Sequence, residues 1–459
     1  MIRRISKTVL FLALAILFLL AFRRSGDGML VFSGVAEALR NGTGWGRAML
    51  AGHWEYPPLP SLVLLLLDYP ARCLRLDAVA LYVALSQACV VWQFAMLCGW
   101  RRCWFVLLPL LLPRVLLNMS ALDAGWLGAA LFAAGFCAFV RWQGSRSLRE
   151  VVLAGAAFGL MALCGILPGL LGLAGTLCFW NAARPGQGLR TLLWSVWIYC
   201  ILLVLLWNWL VIGNPLYCVF GALRQFSEFR LSIFASKFDS LERGFVFALL
   251  FPVAPLCIYS GKSDLKSASR YLLLCVVALL LYLPFCLSVS AQPICGSAFY
   301  VTILLALCTL AARAGFSNSV SRNAAWAAVC LGLAYSFIMG RALPGCSVWP
   351  HPAAQEITDF IDGFWPESRT MLYGPVVPAM YSDGSEKRFI ARLDYSQEEL
   401  LEYGEQEQMH LLLPPPESGL LPKGGELEDI FNQGRPWLFL EKKWDSGWRL
   451  WRVIRLQQE

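Results

Sequence analysis

Residues 8–22 have the sequence TVLFLALAILFLLAF, which contains no charged side chain. Arg3, Arg4 and Lys7 precede this run, and Arg23-Arg24 follows it where a signal peptide would have a small-residue cleavage site. The run therefore predicts an uncleaved first membrane span. Ten further apolar runs predict a polytopic α-helical membrane protein with about 11 spans, the others being 78–99, 104–121, 124–140, 151–166, 167–181, 190–212, 244–260, 271–289, 298–313 and 324–341. Pro168-Gly169 predicts two short helices in 151–181, with one tilted helix as the alternative.

The composition agrees with a membrane protein and divides the chain in two. Hydrophobic residues make up 58% and charged residues 15%, whereas soluble proteins carry about 25% charged residues. Residues 1–341 contain 27 Lys and Arg against 11 Asp and Glu, and residues 342–459 contain 11 against 19, so +16 and −8 give the net +8. We predict a membrane domain over 1–341 and a soluble acidic domain over 342–459. Nothing in this balance indicates a nucleic-acid partner.

The placement of basic residues predicts which loops lie outside the cell membrane. Short loops rich in Lys and Arg stay cytoplasmic, and every such cluster falls inside if 58–74 lies in the interface and does not cross. Pro57-Pro58 opens that segment and Asp68-Tyr69-Pro70 interrupts it. The sequence thus predicts a multi-pass protein of the cytoplasmic (inner) membrane. Its large first loop, 23–77, and its C-terminal domain would both be extracytoplasmic, or periplasmic.

The tail has the alternation of helices and strands that is typical of a small α/β sandwich. It contains no glycine-rich nucleotide motif and no nucleophile elbow, which favours an accessory or lid domain over a catalytic one. The predicted strands are 370–377, 388–393, 410–413, 437–440 and 448–454, and the predicted helices are 353–365, one from Ser396 and one near 426–431.

Acidic residues are rare in the membrane domain, so the exceptions are candidates for chemistry. Asp27 stands between two glycines, where its carboxylate is either accessible or the N-cap of a helix starting at Met29. His53 and Glu55 are either solvated loop residues or groups that orient an acceptor or help to hold a metal ion. Asp123 lies at a span boundary, where it either pairs with Arg114 or belongs to a site.

Several short motifs follow one another in order over nearly the whole chain. They are Asp27, Tyr56-Pro57-Pro58-Leu59, Arg75-Leu76, Pro113 with Asp123, Gly213-Asn214-Pro215, and Trp365-Pro366 with Tyr381-Ser382. Their order resembles the GT-C class of polytopic glycosyltransferases, in the branch with protein O-mannosyltransferases and lipid A aminoarabinose transferases. The chain departs from that family in two places: Asp27-Gly28 and Val31-Phe32 stand where the family usually has Asp-Glu followed by a Tyr, and Phe299-Tyr300 lacks the usual Arg.

The resemblance implies an inverting transfer of a sugar from a polyprenyl-phosphate donor to a hydroxyl on the outer side of the membrane. It implies that Asp27 is the general base and that Arg75 binds the donor phosphate. Position alone adds Arg72, Arg47, Arg224 and Arg230 as phosphate-binding candidates. The acceptor class (lipid, glycan or protein) and a divalent metal stay open. The alternatives are a non-catalytic GT-C-like assembly subunit and a lipid or sugar transporter.

Overall fold

The structure is a computed structural model, and it describes residues 2–20, 36, 39–40, 58–99, 102–112, 115–116, 119, 125–182, 187–216, 252–260, 263–288, 296–314, 319–342, 352–365, 369–372, 389–391, 409–413, 415 and 426–454. The helices in these ranges are α1 (Ile2–Leu20), α2 (Pro58–Leu74), α3 (Ala78–Cys98), α4 (Trp104–Leu107), α5 (Gly125–Ser145), α6 (Leu148–Leu160), α7 (Ile166–Ala182), α8 (Gln187–Ile212), α9 (Val253–Ser260), α10 (Ser263–Ser288), α11 (Gly296–Arg313), α12 (Ser319–Ala342), α13 (Pro352–Phe364) and α14 (Glu426–Gln433). The strands are β1 (Arg369–Leu372), β2 (Phe389–Ala391), β3 (Met409–Leu413), β4 (Leu438–Lys443) and β5 (Arg449–Val453).

Three of the described helices are long and apolar enough to cross a membrane: Ala78–Cys98, Gly125–Ser145 and Thr191–Val211. Shorter apolar helices cover Val9–Leu20, Leu167–Ala182 and Ala298–Arg313. The described part of the chain is therefore mostly helical and rich in apolar helices, as the hydropathy pattern predicts. The predicted total of about 11 spans stays a prediction.

The core of the helical part surrounds α11 and the aromatic side chains that pack on its neighbours. Ala298, Phe299 and Leu304 of α11 have no exposed surface. The ring of Tyr271, on α10, lies 5.6 Å from that of Phe132 on α5 and 5.5 Å from that of Phe158 on α6. The ring of Phe299 lies 6.2 Å from that of Phe132, so these rings bring α5, α6, α10 and α11 together around one cluster.

Small residues allow α7 and α8 to pack closely against α6. A Cβ atom on Gly172 of α7 would lie 2.5 Å from the backbone oxygen of Phe158, and one on Gly159 would lie 2.8 Å from Cγ1 of Val196 on α8. No side chain fits at such distances. Glycine at these positions therefore sets how closely the helix axes approach, as in many packed membrane helices.

The predicted span 104–121 is wrong as a single helix. Helix α4 ends at Leu107 and a 3₁₀ segment, Leu108–Leu111, follows it. Leu112 is extended, with φ −68° and ψ 133°. Pro109 lies in the first turn of the 3₁₀ segment, and the residue before a proline, here Leu112 before Pro113, is pushed out of the helical region.

The 151–181 run forms two helices, as predicted, but the break is not at Pro168-Gly169. The 3₁₀ segment Met161–Cys164 ends α6, and Gly165 has φ 124°, a conformation that side-chain-bearing residues rarely adopt. Pro168 instead lies in the first turn of α7, where a helix does not need its missing N–H.

Two arginines fasten the C-terminal ends of α3 and α11 to each other. Arg102 Nη1 donates to the backbone oxygen of Ala312, and Arg313 Nη1 donates to the backbone oxygen of Leu97. The last carbonyls of a helix have no partner within the helix. Arg102, four residues after α3, donates to such a carbonyl of α11, and Arg313 donates to one of α3. The two helices consequently end at the same level.

The strands form one sheet in the order β2-β1-β3-β5-β4. Strand β1 is parallel to β2 and β3, whereas β5 is antiparallel to β3 and β4. Trp365, which follows α13, lies 4.8 Å from His410 on one face, while the Arg449 guanidinium lies 4.1 Å from the Phe431 ring of α14 on the other. Helices thus cover both faces. The described strands lie where the sequence predicts strands, and the helix predicted from Ser396 lies outside the described residues.

Candidate phosphate-binding site at the end of helix α2

The structure describes two of the predicted site residues, Arg72 and Arg75. They lie in the last turn of α2 and just after it, so both belong to one short stretch of the chain. The others, Asp27, Arg47, His53, Glu55, Asp123, Arg224 and Arg230, lie outside the described residues, and their roles stay predictions. No group of three His, Cys, Asp or Glu side chains in the described ranges could hold a metal ion.

Arg75 ends α2 in a left-handed conformation, with φ 54°. Its N–H donates to the oxygen of Arg72 at 3.1 Å, and the N–H of Leu76 donates to the oxygen of Ala71 at 2.9 Å. This pair of bonds is the Schellman motif, in which glycine is the usual residue at the position of Arg75. An arginine in this left-handed conformation costs about 1 kcal/mol or more in backbone strain. Position 75 therefore carries an arginine side chain although the backbone conformation favours glycine.

Asp77 begins the next helix directly after this turn. Its side chain accepts hydrogen bonds from the backbone N–H groups of Val79 at 3.1 Å and Ala80 at 3.2 Å. A carboxylate in this N-cap position satisfies free N–H groups and interacts with the positive end of the helix dipole. Asp77 is therefore engaged by α3, although it is only two residues from Arg75.

Arg72 is engaged by an acid that sequence analysis did not select. Its Nη2 lies 2.8 Å from Oδ2 of Asp68, one turn earlier on α2, and its Nε donates to Oδ1 at 3.2 Å. Arg40 Nη1 lies 3.3 Å from the same Oδ2 atom. The i,i+4 spacing of Asp68 and Arg72 was a usable signal. No sequence pattern linked Arg40 to a residue 28 positions later.

The two predicted arginines differ in their partners. Asp68 holds Arg72 by two contacts and lies beside Arg40 as well. Within the described part of the chain, the Arg75 side chain makes no hydrogen bond or ion pair, and it is exposed. Guanidinium groups suit phosphate because they donate planar, charge-assisted hydrogen bonds. The structure thus distinguishes the two predicted arginines, since Arg72 is paired and Arg75 is available.

No protein-family profile matches the sequence, and no curated protein sequence matches it significantly. Among solved structures, the chain is similar to ArnT from Cupriavidus metallidurans bound to undecaprenyl phosphate. The identity is 14%, the similarity covers 98% of this chain and 99% of the other, and the TM-score is 0.57. The chain has the fold of ArnT. The resemblance to GT-C glycosyltransferases, predicted from the order of the motifs, is confirmed at the level of the fold. The apo structure of the same ArnT gives a TM-score of 0.46 at 14% identity, covering 99% of this chain and 100% of the other.

Proposed function

We propose that this protein is an inverting glycosyltransferase that moves a sugar from a polyprenyl-phosphate donor to a hydroxyl acceptor. One observation carries the proposal: its ArnT-like fold extends over 98% of the chain, and the matching structure holds undecaprenyl phosphate. The donor of the proposed reaction contains the same kind of lipid phosphate. The acceptor would be a lipid, a glycan or a protein.

In the proposed reaction, Asp27 acts as the general base. Its carboxylate takes the proton of the acceptor hydroxyl while the acceptor oxygen attacks the anomeric carbon of the sugar. The bond between that carbon and the phosphate oxygen breaks as the new bond forms on the opposite face, which inverts the configuration. The polyprenyl phosphate leaves with the electron pair of the broken bond. A single carboxylate is sufficient for this step.

The leaving phosphate gains negative charge, so cationic donors beside it lower the barrier. Arg75 is the strongest candidate because its side chain is exposed and makes no ion pair among the described residues. Arg72 lies one turn earlier in the chain and contributes a second guanidinium, and Arg47, Arg224 and Arg230 keep the same proposed role from their position in predicted outer loops. Glu55, His53 and Asp123 are proposed to orient the acceptor or to hold a divalent metal ion.

The proposed site lies on the outer side of the cytoplasmic membrane, at the level of the first loop. The ion pair between Arg40 and Asp68 supports this placement. Asp68 follows Pro58 by ten residues, about 15 Å of helix. In a helix that crossed from the outer surface, Asp68 would lie that deep, away from a loop residue such as Arg40. An interfacial α2 keeps the two at one level and gives the C-terminal domain the same outer side.

The test uses the full-length protein in proteoliposomes with radiolabelled undecaprenyl-phosphate sugars and a panel of lipid, glycan and peptide acceptors. We expect the wild-type protein to form a labelled product and Asp27→Asn to lose at least about a hundredfold in kcat, the usual contribution of a general base. Glu356→Gln, at an exposed position on α13, is the matched control and should keep its activity.

Three results would contradict the proposal. An Asp27→Asn protein as active as the wild type would remove Asp27 as the base. Flux of a lipid or sugar across the vesicle without transfer would favour the transporter alternative. A wild-type protein that is inactive alone but required for transfer by another protein would favour the assembly-subunit alternative.

A further inference from the structure

The carboxylate of Asp68 is shared by two arginines from separate parts of the first loop. Its Oδ2 atom lies 2.8 Å from Nη2 of Arg72 and 3.3 Å from Nη1 of Arg40. Both guanidinium groups are consequently held around one oxygen atom. Arg72 comes from α2 and Arg40 from the chain before it, so Asp68 connects the two parts of the predicted loop 23–77.

The geometry fixes the orientation of Arg72 as well as its position. Nε and Nη2 of Arg72 contact Oδ1 and Oδ2, a two-point contact that sets the plane of the guanidinium. Nη1 of Arg72 has no acceptor among the described residues. The three side chains are partly exposed, at 30% for Asp68, 58% for Arg72 and 35% for Arg40. A ligand can therefore reach donor groups that Asp68 has already oriented.

We propose that Asp68 is a positioning residue that holds Arg40 and Arg72 ready to bind the phosphate of the donor lipid. This inference rests on the proposed function and adds two residues to its site, Arg40 and Asp68. Asp68 itself does not touch the phosphate. It acts through the two arginines. Because Asp68 holds their guanidinium groups before the lipid binds, binding costs less side-chain rotamer entropy.

Charge alone predicts the opposite effect of removing this carboxylate. Removing Asp68 takes a negative charge from beside Arg72 and Arg40, so a purely Coulombic role would make phosphate binding tighter in Asp68→Asn. A positioning role makes binding weaker, because Arg72 loses the carboxylate that sets the plane of its guanidinium and Arg40 loses the contact that holds it beside Arg72. The sign of the change in affinity therefore separates the two roles.

The experiment measures KM and kcat for the undecaprenyl-phosphate sugar in proteoliposomes, together with the Kd of unlabelled undecaprenyl phosphate. For Asp68→Asn we expect KM and Kd to rise about tenfold, the effect of one lost charge-assisted contact, with kcat nearly unchanged. Asp68→Glu keeps the charge and should restore part of the affinity. Combining Asp68→Asn with Arg72→Gln should raise KM by less than the product of the two single effects.

Glu150→Gln is the matched control. It breaks another arginine–carboxylate pair, Arg141 Nε to Glu150 Oε2 at 3.0 Å, in a predicted cytoplasmic loop. We expect this variant to keep the wild-type KM and Kd.

The other possible outcomes contradict either the proposed function or the positioning role of Asp68. A wild-type protein that neither transfers sugar nor binds undecaprenyl phosphate overturns the proposed function and, with it, the role of Asp68. With an active wild type, an unchanged or lower Kd in Asp68→Asn overturns the positioning role alone. An equal loss of kcat in Asp68→Asn and Asp68→Glu, with a lower melting temperature in both, would show that Asp68 is structural. If Asp68→Asn does not fold, an unchanged Kd in Arg40→Gln overturns the positioning role instead.

Discussion

Arg102 donates a hydrogen bond of 2.6 Å from Nη1 to the backbone oxygen of Ala312, a residue 210 positions later in the chain. Arg313 Nη1 donates in turn to the backbone oxygen of Leu97. The two bonds join helix ends that belong to the first and last thirds of the helical part. They satisfy terminal carbonyls that have no partner within their own helices.

Loss of either arginine should destabilise the protein. A hydrogen bond from a charged group contributes about 1.5–3 kcal/mol when it is partly buried, so Arg102→Gln and Arg313→Gln should each lower the free energy of unfolding by about that amount. Thermal unfolding of the detergent-solubilised protein measures the effect. Arg322→Gln, at an exposed position on α12, serves as the control. A melting temperature for Arg102→Gln equal to that of this control would show that the contact contributes nothing.

The close approach of α6 and α7 depends on Gly172. In Gly172→Ala the new Cβ would lie 2.5 Å from the backbone oxygen of Phe158, which cannot move without its helix. We expect a loss of about 1–3 kcal/mol in unfolding free energy from the forced separation. Gly144→Ala is the comparison, because nothing lies within 4 Å of the added atom there. Equal melting temperatures for the two variants would contradict the packing argument.

Arg75 should show opposite effects on stability and on donor binding. Arg75→Gly removes the strain of the left-handed conformation at φ 54°, so the unfolding free energy should rise by about 1 kcal/mol. The same change removes the guanidinium that the proposed function assigns to the donor phosphate. We therefore expect KM for the undecaprenyl-phosphate sugar to rise about tenfold or more.

Arg146 provides the control for that experiment. It has a similar left-handed conformation, with φ 53°, and its guanidinium lies 4.4 Å from the ring of Trp142. Arg146→Gly should gain the same backbone relief, lose the contact with the ring, and keep the wild-type KM. A KM that rises equally in both variants would show that the effect of Arg75→Gly does not come from the donor site.

The sequence predicted the helices most closely where one uninterrupted apolar run formed one helix. The run 78–99 is helix Ala78–Cys98, and 190–212 is helix Gln187–Ile212. In lipid the backbone must form its hydrogen bonds within the helix, so the length of an apolar run indicates the length of the helix. The prediction failed after Leu107, where a 3₁₀ segment that contains Pro109 replaces the α-helix, and at Pro168, which lies in the first turn of a helix.

The candidate site was predicted less completely than the fold. The sequence selected Arg72 and Arg75 from a family resemblance and from their predicted side of the membrane. It did not distinguish a paired arginine from an available one, because pairing depends on which acid lies beside each guanidinium. Asp68 was recognisable from its spacing to Arg72, but its contact with Arg40 was not.

The sequence by itself determined that this chain forms many apolar helices followed by an acidic α/β segment, because hydropathy and alternation act over neighbouring residues. The order of its motifs also indicated the fold that the chain shares with ArnT. Only the tertiary structure decided which distant residues the charged side chains contact. Arg40 and Asp68 are 28 residues apart, and Arg102 and Ala312 are 210 apart. Contacts over such separations arise from helix packing, which no local pattern in the chain records.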